Sequence, residues 1–112
     1  MIVLHEPKII ALKARKVGGT SFEIALSNYA SPSSIITPIT ADDERIRQAL
    51  GYRGPQHYLG SPEKRVAGQP LFYNHMSAAE ARTRLGDALW RSYTKIAIMR
   101  NPFDQAVSSY FW

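Results

Sequence analysis

The sequence predicts an α/β domain, and three observations carry that prediction. The apolar runs 9–12 and 94–99 both read as short buried strands. Each ends in a segment that starts a helix. The first runs into Lys16-Val17-Gly18-Gly19-Thr20-Ser21, a glycine turn that opens a helix at Thr20 or Ser21. The second ends at Arg100-Asn101-Pro102, where Asn101 is a good N-cap, Pro102 fits the first helical position and Asp104 closes a capping box. Between these two junctions, apolar residues recur mostly at helical spacing.

The elements follow in order. A first helix over 20–29 carries Phe22, Ala25, Leu26 and Tyr29 on one face. Ser31-Pro32-Ser33-Ser34 reads as a turn and Ile35-Ile36-Thr37 as a short strand. Thr40 caps a second helix, with Asp43 at the capping-box position and Gly51 as its stop. The acidic start of that helix and its Arg45 and Arg47 read as a solvated face matched to the helix dipole. Residues 52–70 are irregular, with three glycines and three prolines. Loops this long are functional or disordered. Arg53, His57, Tyr58, Lys64 and Arg65 fit either a wall that grips an acidic sugar or an ordinary basic loop, with His57 at the surface. Leu71-Phe72-Tyr73 reads as a further strand, and Ser77-Ala78-Ala79-Glu80 as the cap of a third helix that stops near Leu85-Gly86. A last helix runs through Phe103, Val107 and Tyr110 or Phe111. Trp90, Tyr93 and Trp112 read as core residues or as contacts with a further part of the protein.

The two junctions carry the chemistry. The first N–H groups of a helix lack intrahelical partners, and the helix dipole makes that end partly positive. Glycines let the backbone approach an anion closely, and the Thr20 and Ser21 hydroxyls add donors. Lys16 precedes the glycines, whereas in a Walker A loop the lysine follows the last one, so this is not a Walker sequence. Taken alone, the turn is equally a plain strand-to-helix connection with a glycine hinge. Arg100 stands at a strand's carboxyl end, the edge where open α/β sheets bind ligands, and Ser108 lies two turns into the following helix. The pair suits one anion; equally, Arg100 pairs with a surface carboxylate and Ser108 faces water.

Together the two motifs resemble a known family. Lys16-Val17-Gly18-Gly19-Thr20-Ser21 is similar to the 5′-phosphosulfate loop of sulfotransferases that use 3′-phosphoadenosine-5′-phosphosulfate (PAPS). Arg100-Asn101-Pro102-Phe103-Asp104 through Ser108-Ser109-Tyr110 resembles their 3′-phosphate motif, and Asn74-His75-Met76-Ser77-Ala78-Ala79-Glu80 resembles the intervening segment of the carbohydrate-type family 2 enzymes. Arg15, where many relatives have proline or histidine, and Val17, where threonine is common, depart from the pattern. The resemblance implies a P-loop-like three-layer sandwich with a central parallel sheet, of which this chain is the N-terminal portion. It implies sulfuryl transfer from PAPS to a hydroxyl of a carbohydrate or small-molecule acceptor. Arg15, Lys16, Val17, Gly18, Gly19, Thr20 and Ser21 would hold the 5′-phosphosulfate, with Lys16 on the bridging oxygen. Arg100 and Ser108 would hold the 3′-phosphate, and His75 would act as general base, a task suited to an imidazole that titrates near neutrality.

No Asp or Glu directly follows the strand over 94–99, where a P-loop enzyme often places a Mg²⁺ ligand. Fixed cations suit a leaving phosphate without metal. The 112 residues, 45% hydrophobic, suffice for one core, and 14 Lys+Arg against 9 Asp+Glu give a formal net charge of +5 that suits an anionic cofactor. There is no arginine-rich run, RNA-binding signature or zinc spacing, so nucleic acid is not the expected partner. Without cysteine there are no disulfides or thiolate metal sites. The first seven residues are too short and interrupted for a signal peptide and nothing approaches a membrane span, so a cytoplasmic protein is expected. The rivals to this reading are an ATP-dependent, Mg²⁺-requiring phosphotransferase and a non-catalytic module that binds anions or nucleic acid.

Overall fold

A computed structural model describes residues 1–13, 19–61, 63 and 69–97. They form a mixed α/β domain: β1 (Ile2–Leu4), β2 (Ile9–Leu12), α1 (Gly19–Ser27), β3 (Ile35–Ile36), α2 (Ala41–Ala49), α3 (Ala78–Leu85), α4 (Asp87–Ser92) and β4 (Thr94–Ala97). The strand order is β3-β1-β2-β4. β2 and β4 run parallel, with Ile9 opposite Thr94 and Leu12 opposite Ala97. The other two pairings, β1 with β2 and β1 with β3, are antiparallel.

The sheet is therefore mixed, where a parallel one was expected, and the reason is local. Ile2–Leu4 forms a strand to which the sequence analysis assigned no element. Only residues 5–8 join it to β2, with Lys8 at φ 57°. A connection that short makes a hairpin, since a parallel crossover needs a dozen residues or more. Parallel pairing enters with β4, which follows α4 and is anchored at its start by Thr94 N–H donating to Lys8 O (2.8 Å).

Side chains alternate across the strands, which sorts the core into two sets. Val3, Ile10 and Ile35 join Met1, Phe72, Met76 and Ala81 on one face, where Leu85, Leu89 and Trp90 from α3 and α4 pack against them. Ile2, Leu4, Ala11 and Ile36 form the other, covered by Phe22 and Leu26 of α1. Each isoleucine or leucine fully buried this way contributes about 1.5–3 kcal/mol.

The caps of α2 and α3 are those the sequence predicts. Thr40 Oγ1 accepts from Asp43 N–H, and Ser77 Oγ accepts from Glu80 N–H, both at 3.2 Å. Glu44 ties down the residue before the first cap, its Oε1 accepting from Ile39 N–H (3.0 Å). The turn at 31–34 also forms, and the Gln56 amide clamps it by donating to Ser31 O (2.8 Å) and Ser34 O (2.7 Å).

Four expectations are corrected. The buried face of α1 is Gly19, Glu23, Ile24 and Ser27, while Ala25 is exposed and Tyr29, just beyond the helix, is 72% exposed. Arg47 is not on a solvated face: it is fully buried, with Nη1 on both carboxylate oxygens of Glu44 (3.0 and 3.2 Å). Residues 71–73 make two backbone bonds to residues 58 and 59 but form no strand. β4, expected as a buried strand, has Thr94, Lys95 and Ala97 exposed and only Ile96 half-buried. A short helix that the sequence analysis did not anticipate, α4, follows α3 directly across Gly86, whose φ of 93° few other residues adopt. The end of the strand expected over 94–99 and the helix expected from Asn101 onward lie outside the described residues.

Candidate functional site

The described part of the first junction is built around a buried charge cluster. β2 ends at Leu12, and the next residue, Lys13, is only 8% exposed. Its ammonium donates to Thr20 Oγ1 (3.0 Å), in the first turn of α1, and lies 3.1 Å from Glu23 Oε2. Glu23 is 3% exposed and is held from the other side by the α-amino group of Met1, which donates to Glu23 Oε1 and to Thr37 Oγ1, each at 2.7 Å. Burial pushes the Glu23 carboxyl up, but the Met1 ammonium and Lys13 together outweigh it and hold the group below its ordinary value. Burial lowers the Met1 amine, a shift that Glu23 opposes.

This cluster determines what residue 19 must be. A Cβ on Gly19 would stand 2.6 Å from Lys13 Cγ and 3.0 Å from Cδ, so a side chain there would displace the lysine stem. The last glycine of the turn thus makes room for Lys13 as well as opening the helix end.

Of the residues expected to hold an anion, Gly19 is buried, Thr20 half-buried and Ser21 exposed, in that order along the first turn of α1. Arg15, Lys16, Val17, Gly18, Arg100 and Ser108 lie outside the described residues. The strands that lead to them are described. β2 and β4 are parallel neighbours in register, so Leu12 and Ala97, the last described residue of β4, stand at the same end of the sheet. In the sequence, Lys16 is four residues beyond Leu12 and Arg100 three beyond Ala97.

His75 occupies a turn between Tyr73 and the core residue Met76, with Met76 N–H donating to Tyr73 O (3.3 Å). It is half-buried and has φ 62°, a backbone conformation uncommon outside glycine and asparagine. Earlier in the chain, a cleft of about 300 Å³ is lined by Gln69, Pro70 and Tyr73. The Tyr73 phenol donates to Glu80 Oε2, which holds the phenol above its ordinary value. The Arg84 guanidinium lies 5.6 Å over the Tyr73 ring and donates to Leu71 O (2.6 Å).

In the 52–70 loop, Arg53 is exposed, but two of the other candidate acceptor contacts serve the fold. His57 Nε2–H donates to Pro32 O (2.8 Å), and Tyr58 packs on the core. Lys64 and Arg65 are outside the described residues. The sequence reading missed Lys13 and Glu23. The available signal was a lysine directly after an apolar strand, followed by a glutamate between two apolar residues of a helix.

No family model, curated protein or solved structure matches the chain. Among the described residues, no helix is long and apolar enough to cross a membrane, and no group of three His, Asp or Glu side chains is placed to hold a metal ion.

Proposed function

We propose that this chain binds PAPS and belongs to an enzyme that transfers its sulfuryl group to a hydroxyl, with a carbohydrate as the acceptor class. The observation that supports this reading is the parallel pairing of β2 with β4, because Leu12 and Ala97, four residues before Lys16 and three before Arg100 in the sequence, lie at the same end of the sheet. A strand-end lysine loop and a strand-end Arg-Asn-Pro segment need that adjacency if they are to hold the 5′ and 3′ ends of one nucleotide. The finer form of the fold, a P-loop-like three-layer sandwich, is part of the same proposal, and so is a cytoplasmic location.

The roles follow from the residue chemistry. The turn of residues 16–21 takes the 5′-phosphosulfate on backbone N–H groups and the Thr20 and Ser21 hydroxyls. Lys16 neutralises the charge that builds on the bridging oxygen as the bond to sulfur breaks. Arg100 and Ser108 select the 3′-phosphate. His75 takes the proton from the acceptor hydroxyl, and the cleft at Gln69, Pro70 and Tyr73 lies two residues before it along the chain. No step calls on a metal.

Calorimetry without metal, with adenosine 3′,5′-bisphosphate against ADP, tests the donor site. Clear preference for the bisphosphate is the expected result. Equal binding, or binding that requires Mg²⁺, would overturn the proposal in favour of a phosphotransferase or a general anion-binding module.

The role of His75 calls for His75→Asn rather than alanine, because asparagine tolerates a positive φ and leaves the turn intact. Sulfuryl transfer should fall by about 10²–10⁴-fold, the usual worth of a positioned general base, while bisphosphate affinity stays unchanged. Transfer at the original rate would remove His75 from the mechanism.

A further inference from the structure

We infer that Lys13 is a positioning residue, which fixes the Thr20 hydroxyl as a hydrogen-bond donor to the bound donor nucleotide. This inference rests on the proposed function and extends it to a residue outside the motif. A lysine ammonium has three donors and no acceptor, whereas a hydroxyl has one donor and two acceptor sites. The 3.0 Å bond from Lys13 Nζ therefore occupies an acceptor site of Thr20 Oγ1 and leaves its proton for another partner. The first turn of α1, where that hydroxyl stands, is the part of the turn that the proposed function assigns to the 5′-phosphosulfate.

Three features keep Lys13 in this role. Its side chain is buried, so water does not compete for the ammonium. Glu23 Oε2, 3.1 Å away, balances its charge and prevents the head group from swinging towards an incoming anion as a ligand in its own right. Gly19 leaves room for the stem, which a Cβ would strike at Cγ. Lys16 and Lys13 thus divide the work: one meets the anion and the other orients a neutral group that meets it.

The test is a double-mutant cycle on bisphosphate affinity, read by calorimetry with circular dichroism as the check on folding. Lys13→Met should weaken adenosine 3′,5′-bisphosphate binding at least tenfold. In a Thr20→Val background, the same substitution should cost less than twofold, because the hydroxyl it orients is gone. Lys13→Arg, which keeps a buried donor beside Glu23, should recover most of the affinity. Should Lys13→Met fail to fold, the Lys13→Met/Glu23→Gln protein, which removes both charges of the pair, replaces it in both backgrounds. Equal losses with and without the Thr20 hydroxyl would mean that Lys13 is merely structural and would overturn the inference while leaving the proposed function standing. A wild-type protein that binds the bisphosphate no better than ADP would overturn both.

Discussion

Glu23→Ala is expected to be among the most damaging single substitutions in the described part of the chain. Two ammonium groups, on Met1 and Lys13, converge on this carboxylate, and all three groups are at least 90% buried. Deleting the one anion leaves two cations without water and without a counter-charge. Breaking a buried pair by removing one partner costs about 3–5 kcal/mol, and for a domain of this size the melting temperature should drop by on the order of 15 °C. A drop of less than 2–3 °C would mean that the cluster is solvated in solution.

The same residue has a pH signature whose sign is fixed. The folded state holds Glu23 below its ordinary pKa of 4.5, so its contribution is fully present above that pH. It is lost as pH falls through the lower, folded-state value, because protonation dissolves the ion pairs. Wild-type stability should therefore fall on the acid side of pH 4.5 more steeply than that of Glu23→Gln, which has no proton to take up there. Parallel acid limbs in the two proteins would refute the assignment.

The second large effect concerns binding. Arg100→Ala should weaken adenosine 3′,5′-bisphosphate by about 10- to 150-fold, the loss of a charge-assisted contact worth about 1.5–3 kcal/mol. ADP has no 3′-phosphate, and its affinity should be unchanged. Lys16→Ala, by contrast, should weaken both ligands, since both carry phosphate at the 5′ position. The measurement is the ratio of the two affinities in each variant. If Arg100→Ala lowers both equally and salt erodes the binding steeply, the residue belongs to a non-selective basic surface.

The strand β2 was legible because a short apolar run reports burial directly, whereas β4 was legible as a strand but not in its burial, since three of its four described residues are exposed. The starts of α2 and α3 were legible because Thr40 and Ser77 are caps whose partners lie three residues away. Glu23 was misread because its partners are distant in sequence: nothing within a helical turn of it reveals the Met1 amine and Lys13. Arg47 was misread for a different reason: its partner Glu44 is one turn away, and an i,i+3 pair reads as a surface pair whether or not it is buried. Periodicity ranks residues by polarity and so found Phe22 and Leu26 of the packed face of α1 but added the exposed Ala25 and Tyr29 and missed Glu23 and Ser27. The strand character of residues 2–4 was hidden for a related reason: a three-residue strand gains its stability from two neighbours, β2 and β3, that it meets only in the folded sheet. At the site, Lys16 to Gly18 and the Arg-Asn-Pro segment lie outside the described residues. The lysine behind Thr20 was not legible, because its significance depends on where α1 begins relative to the end of β2.

The pairing of β2 with β4 also shapes how the chain reaches its native state. Ile9 must find Thr94, and the intervening chain has to be made first. At about 5–20 residues per second on a ribosome, that wait is on the order of several seconds. Throughout it, the β1–β2 hairpin can form but keeps one edge of β2 unpaired, with Ile9, Ile10 and Leu12 along it. Unpaired apolar edges are templates for pairing with other chains. The pairing of β2 with β4 thus closes late in biosynthesis, and until it closes that edge of the nascent chain is open to pairing with other chains.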